Sequence, residues 1–508
     1  MKLFQLQQAY WKKSSTASYE QQRFITEKLK SKLESIRNVC RSLISQEDLI
    51  NMVSSYKEDN TETNPTLDQM FFTYTKSISL HCTEMMSDFA GSIIAQSMSL
   101  LSEKAPCDFE AVAIGSLARG EATPYSDLEY LFLIHEETPD ATAFFERLAV
   151  TSYFVIGNLG ETDLSHMAIK ELHGWFDDQA KSGFKIDGLS AKAGNIPTGN
   201  GLKESNFIAT PFRLAATYQD VLMNPTEDAC VGDLTAMLTY TKSLYAHRMY
   251  NPAINMLDEF QAQIKSMKPS KERVDANAEM FFKDERKHNK LTDLLCGPSR
   301  FNIDVKKDLF RYPSIQILDS SIITRLTGRS SWDVPDILML FEKGTKPFCE
   351  VYKFLLASSS YVRLAAYLYY DSQDDIVTAA KIHNYPLAPR RSETDLNDTR
   401  WHVPSGLLAN IYKKKHLLDS MSAREAVSAE SALFYELITL HLMGKASQVL
   451  RILEKTCGDV LYIDPVAAAT GMNTKHQISE LDKMRCVAIL LENCGKYKEA
   501  LKIFEHIN

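Results

Sequence analysis

The side chains best suited to chemistry lie in one stretch, Gly115-Ser116-Leu-Ala-Arg119-Gly120-Glu121-Ala-Thr-Pro-Tyr-Ser126-Asp127-Leu-Glu129. Gly115-Ser116 follows a short apolar, partly β-branched run, Phe109–Ile114, and opens a turn. A glycine there lets backbone N–H groups approach a phosphate closely, and the serine hydroxyl adds a donor. Asp127 and Glu129 enter the next apolar run, Leu128–Ile134. Alternate side chains of a strand share a face, about 6.8 Å apart at ~3.4 Å per residue. The two carboxylates therefore project together while Leu128 turns to the core. Their hard oxygens suit Mg2+ or Mn2+. Divalent ions held there would neutralise the charge that builds on an attacked phosphorus and a departing pyrophosphate.

Secondary structure must place these groups. Residues 17 to about 57 read as helix, with Ile25, Leu29, Leu33 and Ile36 at three- and four-residue steps. A polar break, Asp59–Pro65, precedes a second helix from Thr66 to about Leu101. Then come strand, loop and strand around the candidate motif. A helix follows over Ala141–Gly157, and a short strand over Phe184–Ile186. From about Ala216 onward the pattern is almost entirely helical. Residues 265–311 carry twelve Lys or Arg against eight Asp or Glu, a local basic excess. Pro386, Pro389 and the polar run to Asp398 mark a long loop or linker.

The motif as a whole resembles the protein-PII uridylyltransferase N-terminal domain family of the nucleotidyltransferase superfamily. The residues that carry the likeness are Gly115-Ser116, Arg119-Gly120-Glu121 and Ser126-Asp127-x-Glu129. The resemblance implies an α+β fold: a nucleotidyltransferase-type small mixed sheet with flanking helices, then an all-helical domain. It implies metal on Asp127 and Glu129, and triphosphate near Gly115, Ser116 and Arg119. Arg119 and Glu121 would shape the loop by pairing with each other or with a phosphate. The family's usual second acid is Asp, and here it is Glu129. The superfamily's third carboxylate, a catalytic base or further metal ligand, falls on Asp187 in Phe-Lys-Ile-Asp187-Gly188. The same Asp-Gly pair also reads as a plain turn ending a strand. A second likeness covers Phe301–Ser314, where Lys306, Lys307 or Arg311 would face the nucleotide phosphates; a solvated basic face is the bland alternative. The implied layout is an N-terminal helical segment over 1–65, a nucleotidyltransferase domain over 66–215, a helical nucleotide-facing domain over 216–400 and further helices over 401–508.

That last region carries a tetratricopeptide-like pattern. Gly495, Tyr497, Ala500 and Phe504 sit at the offsets of a repeat's second helix, with Ala488 at the small position before it. Gly444–Leu453 is a weaker echo. The pattern reads as a protein-docking solenoid or as generic helix-hairpin packing.

Composition limits the alternatives. The 508 residues carry 57 Lys plus Arg against 65 Asp plus Glu, a formal charge of −8, with 44% hydrophobic residues. That is ordinary for a folded protein and a poor match to wrapping long nucleic acid, which needs a basic surface. No apolar stretch reaches the roughly 18–20 residues of a membrane span. The opening residues lack a signal-peptide core, and the nine cysteines are scattered without a CxxC pair. A cytoplasmic location is the expectation. The expected activity is Mg2+-dependent transfer of a nucleotidyl group from a nucleoside triphosphate to an acceptor, by resemblance a protein side chain docked by the C-terminal helices. An oligonucleotide or cyclic-dinucleotide synthase, or a non-catalytic adaptor with a relic domain, are the competing readings.

Overall fold

The computed structural model describes residues 18–56, 64–101, 103–161, 208–223, 238–265, 267–268, 270, 300–324, 330–341, 346–373, 375–380, 404, 406–411, 414, 484, 487–488, 491 and 496–507. Asp187, the expected strand 184–186 and the echo at 444–453 lie outside them.

The described chain is mostly helical around a small mixed sheet, an α+β architecture. Helix α1 spans Tyr19–Ile44 and α2 spans Glu47–Ser54. The single helix expected over 17–57 is thus two. Apolar spacing runs on through Leu43, Leu49 and Val53, but the backbone N–H of Ser45 turns back to Arg41 and Leu43 and ends the first helix. The chain resumes in α3, Pro65–Leu100, where the Asn64 side chain accepts from the Leu67 N–H at 3.0 Å and proline occupies the first turn. Helix α3 is buried on several sides by Phe71, Phe72, Ile78, Met86, Phe89 and Ile93, as expected of a helix wrapped by its neighbours.

Strand β1, Phe109–Ala113, leads into the five-residue helix α4, Gly115–Arg119, and β2 covers Tyr130–Ile134. Helix α5 spans Pro139–Asn158, capped by the Thr138 hydroxyl on the Ala141 N–H at 3.1 Å. Then come β3, Ile208–Ala209; α6, Pro211–Met223; β4, Lys242–His247; and α7, Met256–Ile264. The sheet order is β3-β2-β1-β4. β1 pairs antiparallel with β2 and with β4, and β2 pairs parallel with β3. Period-two alternation splits the sheet. Phe109, Ala111, Tyr130 and Phe132 pack under Phe144, Phe145 and Leu148 of α5, whereas Val112, Leu131 and Leu133 join the main core with α3.

Beyond residue 215 the expectation of an almost entirely helical chain and an all-helical domain needs correction, because three strands lie there among the described residues. β4 completes the sheet, and β5, Arg300–Asp304, pairs antiparallel with β6, Ile376–Ala380. Between them lie a π-helical turn at Val305–Phe310, α8 over Arg311–Thr324, α9 over Val334–Phe341 and α10 over Lys346–Tyr370. Helix α10 packs on α3, where Tyr56, Phe71, Phe354 and Tyr361 form an edge-to-face aromatic cluster. The last helix, α11, spans Tyr497–Ile507, and Ala488, Ala500 and Ile503 are buried in the same core. Among the described residues no helix is long and apolar enough to cross a membrane.

The turn after β4 is tied to the sheet by Asp108, whose carboxylate accepts the backbone N–H groups of Tyr250 at 2.9 Å and Asn251 at 2.5 Å. Burial works against its charged form, but these bonds and a further one from Met249 outweigh it and hold the carboxyl below the ordinary aspartate range. Stability from a depressed carboxylate is full above its unfolded pKa and fades as pH falls through the folded one. Asp108→Asn is therefore expected to be less stable than wild type at neutral pH. The gap should begin to narrow at about pH 3.9, the unperturbed aspartate value, and shrink further as pH falls towards the folded-state pKa, which denaturant titrations at pH 7, pH 4 and pH 3 would follow.

Candidate functional site

The register of β1 and β2 builds the site. Ala113 pairs with Tyr130, and one rung further the Ile114 N–H donates to the Glu129 carbonyl at 3.0 Å. Gly115 therefore leaves the sheet beside Glu129. Its φ of 62° lies in the left-handed region, and a Cβ added there would stand 1.6 Å from Glu129 Oε2. Glycine is required twice over, for the backbone and for the carboxylate that occupies the side-chain position. Asp127 and Glu129 are partly exposed while Leu128 between them is buried, the alternation the sequence predicts, although regular strand begins only at Tyr130. Gly115→Ala is expected to push the Glu129 carboxylate aside; if the acidic pair holds a divalent cation, its binding should weaken at least about tenfold, the order by which misplaced metal ligands act. Isothermal titration of the variant against wild type measures this.

The segment before Asp127 is pinned tightly. In the turn Thr123–Ser126, the Ser126 hydroxyl accepts the Thr123 N–H at 2.9 Å, and the Ser126 N–H donates to the Thr123 carbonyl at 3.0 Å. Thr83 of α3 accepts the Ala122 N–H at 3.0 Å. The Tyr125 hydroxyl donates to Asp371 Oδ1 at 2.7 Å, and Arg41 of α1 reaches the same oxygen at 2.7 Å. Asp371, just past α10, takes a φ of 50°, a conformation costly for a residue with a side chain. Burial, together with the bond to Asp371, raises the Tyr125 phenol, so it remains a donor. The Arg37 guanidinium lies 4.3 Å from the Tyr125 ring centre and pairs with both oxygens of Glu161.

Arg119 and Glu121 pair with each other. Arg119 Nε donates to Glu121 Oε2 at 2.9 Å, and the Glu121 side chain is fully buried. Ser314 of α8 also donates to Glu121, at 3.1 Å. The Arg119 carbonyl accepts from the Ser331 N–H at 3.1 Å, and the Gly120 carbonyl from Trp332 Nε1 at 2.8 Å. This triplet is where the helices after residue 305 seat on the sheet unit.

Lys306 and Lys307 lie in the π-helical turn, whose first residues are capped by Asp304: its carboxylate accepts the Lys307 N–H at 2.8 Å. Lys307 Nζ returns to Asp304 at 2.9 Å, and that bond raises its pKa. Lys306 is half-buried, and Arg311 is exposed at the start of α8. The fold thus sets Glu129 against Gly115 at one sheet end, with Ser116 and Asp127 their near neighbours in the chain; Lys306 and Lys307 lie on a turn whose Phe310 packs under Arg363, and Arg311 opens α8 after it. Among the described residues no group of three or more His, Cys, Asp or Glu is placed to hold a metal; Asp127 and Glu129 are a pair, and Asp187 lies outside the description. The pair fits a divalent cation in donor type, two carboxylates at a partly exposed edge, with one of them filling the space a Cβ would take at Gly115.

Compared with known proteins, the chain matches no family model and no curated protein. Spacing in the sequence does not single out Arg37, Arg41, Arg363 and Asp371, which support the loop before Asp127 from distant parts of the chain. One signal was present: Arg363 is the lone charge between Lys353 and Asp371, in the middle of an apolar helix.

Proposed function

We propose that the protein is a Mg2+-dependent nucleotidyltransferase that moves an NMP group from a nucleoside triphosphate to a protein side chain, as the likeness to protein-PII uridylyltransferases implies. The observation that supports this reading most is the contact of the Glu129 carboxylate with Gly115, which sets an acidic pair directly against a Gly-Ser turn. In this reading the small mixed sheet is of nucleotidyltransferase type. The backbone and hydroxyl of Gly115-Ser116 bind the triphosphate tail, and Lys306, Lys307 and Arg311 offset its charge. Asp127 and Glu129 hold the cation, with Asp187 as third ligand or base. A bound Mg2+ or Mn2+ supplies charge neutralisation at the phosphates and a lowered pKa for the incoming hydroxyl. The acceptor oxygen forms its bond to the α-phosphorus as the α–β phosphoanhydride breaks. Pyrophosphate departs, and the hydroxyl proton passes to a carboxylate. The C-terminal helices dock the acceptor protein.

Incubating the full chain with Mg2+ and α-labelled ATP, UTP, GTP or CTP, with and without cell extract, tests this. Label in a protein band with release of pyrophosphate is the expected result. A labelled product made from nucleotide alone would move the assignment to an oligonucleotide or cyclic-dinucleotide synthase. Absence of both products and of nucleotide binding would leave an adaptor.

A further inference from the structure

Arg363 carries a charge into the core at 3% exposure. A buried guanidinium is costly unless its N–H groups are used and its face is packed, so its partners indicate what it is for. Its NH2 group lies 3.4 Å from Ser126 Oγ, the residue next to Asp127, and its Nε donates to the Tyr367 hydroxyl at 3.2 Å. Its plane covers the Phe310 ring with Cζ 4.5 Å from the centroid. Tyr367 in turn donates to the Asp375 carboxylate, and the Asp375 carbonyl accepts the Val305 N–H at 2.7 Å. Val305 and Phe310 are the two ends of the turn that carries Lys306 and Lys307. Beside Arg363 a cavity of about 10 Å³ is lined by Glu121, Thr123, Phe310 and Ser360. Ser360 Oγ is buried there with no hydrogen-bond partner.

We infer that Arg363 is a positioning residue that locks the loop bearing Asp127 and Glu129 to the turn bearing Lys306 and Lys307, so that the cation-holding and phosphate-facing groups keep one fixed spacing. The functional consequence rests on the nucleotidyltransferase reading; the mechanical coupling does not. Lysine cannot replace the planar fork that meets Ser126, Tyr367 and the Phe310 face at once.

The test compares Arg363→Met and Arg363→Lys in the full chain with Arg147→Met, which removes the α5 ion pair to Glu103. Hydrogen exchange is read without nucleotide, and the Mg2+ concentration at half-saturation is read for binding of labelled ATP and UTP. In Arg363→Met the amides of 126–129 and 305–310 should lose protection together, at least about tenfold more than other buried amides, and the Mg2+ requirement should rise at least fivefold. Arg363→Lys should lie between, and Arg147→Met should change neither. Loss of protection in one segment alone, or equally across all buried amides with the Mg2+ requirement unchanged, would overturn the inference. If Arg363→Met does not fold, Arg363→Lys and Asp375→Asn carry the same comparison. If wild type binds neither nucleotide, the functional reading fails while the exchange data still decide the coupling.

Discussion

If the proposed nucleotidyl transfer is this chain's activity, replacing Asp127 by Asn and Glu129 by Gln together is expected to reduce it by about a thousandfold or more and to leave the fold intact. The amides keep the shape of the acids and remove both charges. Losing one preorganised electrostatic contact in an active site lowers turnover by roughly 10²–10³, and here two hard anionic ligands go at once. Stability should fall far less than activity, because both side chains are only half-buried and the amides keep their shape. Transfer of label, Mg2+-dependent nucleotide binding and thermal unfolding of the double variant separate these effects. Wild-type binding and transfer in that variant would remove the carboxylate pair from the mechanism.

Trp332→Ala carries the largest expected effect on stability. Trp332 is 0% exposed, packs on Phe72 with ring centroids 5.7 Å apart and donates to the Gly120 carbonyl. Truncating a buried tryptophan costs about 3–5 kcal/mol, a large share of the roughly 5–15 kcal/mol that holds a domain together. Trp332→Phe keeps most of the packing and loses the donor, for about 1–3 kcal/mol if the carbonyl is left unmet. Gly120 allows the approach: its φ is 84°, and an added Cβ would stand 2.8 Å from Leu80 and 3.4 Å from Trp332. Denaturant midpoints for the two variants check the order. A cost below about 1 kcal/mol for Trp332→Ala would show that the helices after residue 305 are not seated through this indole.

Much of the architecture was legible because it is locally encoded. Asn64-Pro65 and Thr138-Pro139 announce α3 and α5 by cap chemistry. The Gly-Ser turn and the alternating acids point to each other because a two-strand register leaves little freedom. What stayed hidden depends on tertiary contact. Lys242-Ser-Leu-Tyr-Ala-His247 has an apolar run of only three residues and is only partly buried along its length; it becomes strand by pairing with β1, where context decides more than propensity. The break between α1 and α2 lies inside an unbroken apolar rhythm, which carries no mark of a backbone turn. Arg41, Tyr125 and Asp371 meet from positions up to 330 residues apart, a separation that spacing arguments do not reach.

The late arrival of β4 bears on how the molecule can be divided. A fragment ending near residue 215 would keep β1, all five residues of which are buried, but would strip its outer flank of the backbone partners at Lys242–His247. Bare N–H and C=O groups along an apolar ribbon recruit other chains. Such a piece is set to aggregate, so dissection of the sheet unit should follow the strand ladder and retain the chain at least through Ile264, where α7 closes over Glu110.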